Sequence, residues 1–152
     1  MERRELLEIW DEMQTEGNWI PAWTDSLSGL TVAHAAQIPG PNGHSVWQET
    51  VHVTFWRRAT LARMRGETPP TGEEARAREF AAPAPDSPDA TEENWQKTVA
   101  DFWDTHHAIR AALADENSAL DLNRVGYHLI HDAYHLGRIT QIRAQQGTPP
   151  AF

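Results

Sequence analysis

Residues 121–146 read DLNRVGYHLIHDAYHLGRITQIRAQQ, and the spacing within this stretch decides the fold class. Val125, Leu129, Leu136, Ile139 and Ile142 recur at three- and four-residue intervals, the period of a helix that buries one face. Gly147, Pro149 and Pro150 end the pattern. Beside the stripe stand His131 and His135, four residues apart. On a helix they lie one turn above the other, with Cβ atoms roughly 5–6 Å apart. Neutral imidazoles in that register can close on one divalent ion. Two ligands do not make a site, so the question for the rest of the chain is where a third would come from.

Three further segments share the helical period. Between Thr91 and Asp115, Trp95, Val99, Phe102, His106, Ile109 and Leu113 follow a 4-3-4-3-4 spacing, which turns His106 inward and His107 outward. Upstream, Ser45 followed by Gln48 forms a capping-box signal. It opens a helix from Val46 to about Arg65, closed by Gly66. His52 lies in the middle of that helix, with Gln48 and Trp56 one turn away on its own face. Near the N-terminus Leu6, Ile9, Trp10 and Met13 mark a helix over 3–15 that stops at Gly17. The elbow from Gly17 to Trp23 carries two tryptophans, Trp19 and Trp23, expected to dock rather than stay in water. A short helix from Thr24 to Ala36 precedes the breaker Pro39-Gly40-Pro41-Asn42-Gly43.

Residues 67–93 differ in kind. They hold five prolines and eight acidic residues against two arginines, a composition that disfavours regular structure, although Glu73 to Phe80 can form a short helix. The segment reads as a surface crossover without chemistry of its own. Four period-3.6 helices, no strand-like alternation and one long connection predict an all-α four-helix bundle, a single domain over 1–152. Bundle cores bring inward side chains of facing helices together. The expectation is that His52 meets His131 and His135, a three-histidine site that leaves one position open.

Composition narrows the function. The 152 residues carry a net charge of −9, which argues against a nucleic-acid partner. There is no apolar run of membrane-spanning length and no signal-peptide pattern, so a cytoplasmic location is expected. Cysteine is absent, so any metal is held by nitrogen and oxygen, and zinc, nickel, iron and copper all suit imidazole. The seven tryptophans point to core filling and, for one or two of them, to a ligand pocket.

Ser45-Val46-Trp47 leading to His52-Val-Thr-Phe-Trp56, then His131-x-x-Tyr134-His135-Leu-Gly137, resembles the DinB/YfiT-like superfamily over nearly the whole chain. The resemblance implies a bundle of up-down-down-up topology, often dimeric, with the long crossover between the second and third main helices. It implies a divalent metal, zinc or nickel foremost, on His52, His131 and His135. It also implies a thiol-dependent S-transferase acting on a small molecule in detoxification or stress response, with a low-molecular-weight thiol such as bacillithiol. In this chain Gly137 is followed by Arg138, which would either favour an anionic substrate group or stand as a solvent-facing charge. Trp56 would supply an apolar wall. A hydrolase using metal-bound water and a non-catalytic metal-binding stress protein stand as alternatives, with Glu49 and Asp132 as the carboxylates in question. His128 is read as a partner of Asp132, and His106 as a core residue or a support behind the ligands.

Overall fold

The structure is a computed structural model that describes residues 2–17 and 19–150. Among these residues seven helices follow in order: α1 (Arg3–Thr15), α2 (Trp23–Leu27), α3 (Val32–Ala36), α4 (Val46–Met64), α5 (Gly72–Arg78), α6 (Glu92–Ala114) and α7 (Leu122–Gln145). Among the described residues there is no strand. None of the helices among these residues is long and apolar enough to cross a membrane.

The ends of the long helices are set by local chemistry. Ser45 Oγ accepts from Gln48 N while the Gln48 side chain accepts from Ser45 N, the reciprocal cap expected of that sequence. Asp121 caps α7 by accepting from the amides of Asn123 and Arg124, and Thr91 caps α6 through Asn94 N. Gly66 ends α4 at φ +77°, a conformation glycine adopts without strain. The expected single helix over 24–36 is instead two short helices. The chain turns between them at Gly29, φ +68°, and a helix cannot run through that left-handed residue.

α1, α4, α6 and α7 form the bundle, with α4 and α1 each packed between α6 and α7. Contacts at their ends fix the directions. Trp47 at the start of α4 packs at a tilt against Trp95 at the start of α6, at 5.3 Å between ring centroids, and donates to Thr98 at 2.8 Å. Arg3 at the start of α1 reaches Ala112 O at the end of α6, at 2.7 Å. On α7, His135 faces Glu49 and His128 faces Thr60 of α4. α4 and α6 therefore run one way and α7 the other, with α1 opposed to α6.

The core comes in two apolar blocks. Trp23, Trp47, Trp95, Phe102, Leu136 and Ile139 centre one block. Leu6, Trp10, Ile109, Leu113 and Val125 centre the other. Each such side chain taken out of water stabilises the fold by roughly 1.5–3 kcal/mol. Arg57 of α4, Asp132 of α7 and His106 of α6 are buried at the level between the blocks. The elbow tryptophans part ways: Trp23 is fully buried, while Trp19 is 89 % exposed. Arg143, also buried, draws α2 onto α7 by donating to the carbonyls of Asp25, Ser26 and Ser28 at 2.8–3.0 Å.

Candidate metal centre

α4 turns Glu49 and His52, one turn apart, toward α7, which turns His131 and His135 back toward α4. The Nε2 atom of His131 lies 3.1 Å from Nε2 of His52 and 3.1 Å from Nε2 of His135. One donor atom from each of the three lies within 4.8 Å of the others. The three sequence-selected histidines are thus brought together from two helices, with their Nε2 edges facing a common point.

Behind each ring stands a carboxylate facing Nδ1. Glu49 Oε2 hydrogen-bonds Nδ1 of His135. Glu79 Oε2 lies 3.4 Å from Nδ1 of His52, and Asp132 Oδ1 lies 3.6 Å from Nδ1 of His131. At His135 the hydrogen bond to Glu49 places the ring proton on Nδ1 and leaves the Nε2 lone pair aimed at the centre, and the negative charges near His52 and His131 favour the same tautomer from a longer distance. Burial pushes His52 down to about 3, with His135 and His131 adding to the shift, so its ring is neutral at pH 7.

Three lone pairs converging at 3.1 Å repel one another unless a cation sits among them. Tetrahedral coordination with metal–nitrogen bonds of about 2.0–2.1 Å places ligand nitrogens roughly 3.3 Å apart, close to the observed spacing. The donor set fits a divalent ion. All-imidazole donors suit a borderline metal better than calcium or magnesium.

The carboxylates are themselves held. Glu49 is fully buried, with Arg138 Nε 2.8 Å from its second oxygen and His44 Nδ1 at 3.4 Å. Asp132 is paired with Arg57. Burial alone would raise the Asp132 carboxyl, but the Arg57 guanidinium and His131 hold it down to about 2. Arg57 in turn lies over the rings of Phe102, Trp10 and Trp23, at 4.4, 4.8 and 5.6 Å. Glu79 also accepts from Trp56 Nε1 at 3.0 Å.

His128, His131 and Asp132 also come within 4.8 Å of one another. Here Arg57 already supplies the positive charge on Asp132, and His128 Nε2 meets Thr60 Oγ1 at 2.7 Å. His128 is thus bonded to Thr60 rather than to the Asp132 expected from the sequence. His106 stacks on Trp10 at 4.9 Å and meets Gln14 at 3.2 Å. It belongs to the core and stands apart from the three histidines.

The crossover, read from sequence as without chemistry, reaches the site. It ends α5 with Glu79, and Phe80 stacks between His52 at 4.1 Å and His44 at 3.9 Å. A cavity of about 390 Å³ opens beside the cluster, with His52, His131, Trp56 and Glu79 at one end and Arg63 and Arg124 at the other. His131, its side chain 29 % exposed, is the most accessible of the three histidines. Arg138 lies elsewhere: Nη1 donates to the Tyr134 hydroxyl at 2.9 Å, and the side chain lines a separate groove along Gly40–His44.

Sequence reasoning missed Arg57 and Glu79 and did not see what holds Glu49. Arg57 had a signal, since it sits four residues after Val53 and four before Leu61 on the buried stripe of α4. Asp132 breaks the stripe of α7 between Leu129 and Leu136 in the same way. Two opposite charges on facing apolar stripes mark a buried pair. Glu79 had no such signal, because no periodicity locates a residue on a crossover.

Residues 2–142 match the family described as the DinB superfamily. No curated protein and no solved structure matched.

Proposed function

The chain belongs to the DinB superfamily, and from that premise we propose that it is a metal-dependent thiol S-transferase acting on small electrophiles in detoxification. The observation that carries the reading is the convergence of three Nε2 atoms at the end of a cavity, each ring backed by a carboxylate. His52, His131 and His135 would hold the ion, with zinc or nickel fitting three imidazoles. When bound there, a divalent ion acidifies a thiol or a water in its open position.

The chain's own groups support a thiol over water. With no cysteine in the sequence, the sulfur must come from a separate small molecule. A hydrolase needs a free general base within reach of the attacking water. Glu49 is taken up by His135 and Arg138 and Glu79 by Trp56, while Asp132, paired with Arg57 through Oδ2, is buried. All three stand behind the histidines, Glu49 by a hydrogen bond and Glu79 and Asp132 at 3.4 and 3.6 Å. Trp56 and Tyr127 give the cavity apolar walls for an organic electrophile. Phe80 seals the far side of His52 from water. In the transfer, sulfur bonds to the electrophilic carbon, the leaving group departs with the bonding pair, and the thiol proton passes to solvent.

The test is cobalt-substituted protein titrated with a small thiol, alongside turnover of an alkyl halide and of an ester by the zinc form. A sulfur-to-cobalt charge-transfer band that is lost in His135→Ala, with turnover only when thiol is present, is the expected result. No band with any thiol, together with ester cleavage in thiol-free buffer, would replace the transferase by a hydrolase.

A further inference from the structure

The same cavity has an outer end that the transferase reading leaves unused. We propose that the ligand lying in it carries an anionic group at its far end, gripped by Arg63 of α4 and Arg124 of α7. This assigns a substrate class and rests on the cavity being the approach to the three histidines.

The chain carries −9 overall, yet two guanidiniums face one cavity from opposite helices. Among the described residues Arg63 has no carboxylate within ion-pair distance. Arg124 has only Asp121, whose Oδ2 lies at 3.9 Å and whose Oδ1 caps α7 through two backbone amides, and that carboxylate does not reach Arg63. The guanidiniums are close enough to oppose each other's charge: burial and then Arg124 push Arg63 down from its ordinary value. Two like charges without a shared counter-ion raise the energy of the empty pocket, and an anion between them lowers it. Arginine offers planar paired donors that match carboxylate and phosphate oxygens. The other cavity groups cannot substitute, since Thr60 is bonded to His128 and Trp56 to Glu79.

Position gives the length of the ligand. Arg124 precedes His131 by seven residues, a rise of roughly 10 Å along α7. Arg63 follows His52 by eleven and lines the same cavity. The ligand is therefore elongated, with its reacting end at the histidines and its charge roughly 10 Å away. A short anion cannot reach both ends.

The test has two arms. In the first, cobalt-loaded protein is titrated with 8-mercaptooctanoate, 8-mercaptooctanol and 3-mercaptopropionate, read by the charge-transfer band. In the second, zinc-loaded protein is titrated calorimetrically with thiol-free octanoate, octyl phosphate and octanol. A charge-assisted contact predicts a preference of about tenfold for the long anion over its alcohol. The double variant R63Q/R124Q should abolish that preference, while R4Q, at a fully solvated arginine, should retain it. Octanoate against octyl phosphate tells a carboxylate from a phosphate pocket. Bands of equal affinity for acid and alcohol would overturn the anion site and leave the thiol reading standing. No band with any thiol would sink the thiol reading, and the second arm would still decide the anion site. A preference that survives in R63Q/R124Q would overturn it outright.

Discussion

Replacing Arg57 by methionine should be among the most damaging single changes in this chain. Arg57 and Asp132 are each 1 % exposed, so methionine at 57 leaves a carboxylate buried without its partner. Breaking such a pair costs roughly 3–5 kcal/mol. For a chain of this size about 1 kcal/mol moves the midpoint by about 2–4 °C, so Tm should fall by roughly 6–20 °C. Asp132→Leu should cost a similar amount, because it strands the guanidinium, and the three aromatic rings around Arg57 replace only part of the lost charge partner. The double variant Arg57→Met/Asp132→Leu removes both charges and should recover most of the loss, since apolar groups of similar volume often replace a buried pair at no net cost. The assay is urea and thermal unfolding in the presence of a chelator, which keeps metal binding at His131 out of the measurement. The account requires a coupling of at least about 2 kcal/mol between the two sites. Additive single effects, or an Arg57→Met loss under about 1 kcal/mol, would refute the claim that this pair joins the two halves of the core.

Other outcomes follow from the same contacts. His106 is held down to about 3, by burial first and by Arg57 second; the unfolded ring takes up a proton near pH 6.5, so this contribution is complete above that pH and is lost on acidification. His106→Gln should flatten the fall in stability between pH 6 and pH 4 by up to roughly 1.4 kcal/mol per pH unit, measured by unfolding at fixed pH values; an unchanged slope would contradict a neutral buried ring. Glu79→Gln keeps the bond to Trp56 but removes the charge behind His52, and should weaken zinc binding about 10–100-fold in chelator competition, whereas Glu74→Gln on exposed α5 should leave affinity unchanged. Trp23→Ala should cost about 3–5 kcal/mol, and Trp19→Ala should stay within about 0.5 kcal/mol, both by urea unfolding; equal effects would mean that the elbow is placed wrongly.

Much of this was legible in the sequence because it rests on short-range chemistry. Ser45 and Gln48 cap α4 as their spacing dictates, and the stripes of α6 and α7 bury the residues their period selects. His131 and His135 share a face by arithmetic alone. His52 joined them because α4 is buried on several sides and turns the side that carries His52 toward α7. What escaped was set by tertiary contact. The period of residues 24–36 did not reveal that Gly29 would adopt a left-handed turn and split the helix. Trp19 and Trp23 looked equivalent four residues apart, yet only Trp23 falls on a helix that meets the core. Glu79 and Phe80 come from a crossover whose composition reads as solvated surface, and only the folded chain sets them against His52. Arg138 looked like a substrate clamp beside the last histidine, but two of its donor nitrogens are engaged by Glu49 and Tyr134.

The central claim is that three imidazole Nε2 atoms hold one divalent ion per chain. X-ray absorption fine structure on zinc-loaded protein, with metal analysis of the same sample, tests it most directly. The account predicts one zinc per chain, with three imidazole nitrogens at about 2.0–2.1 Å plus one exchangeable oxygen or sulfur ligand. It also predicts no retained metal in His52→Ala/His131→Ala/His135→Ala. A shell dominated by carboxylate oxygen, or undiminished zinc in the triple variant, would contradict it.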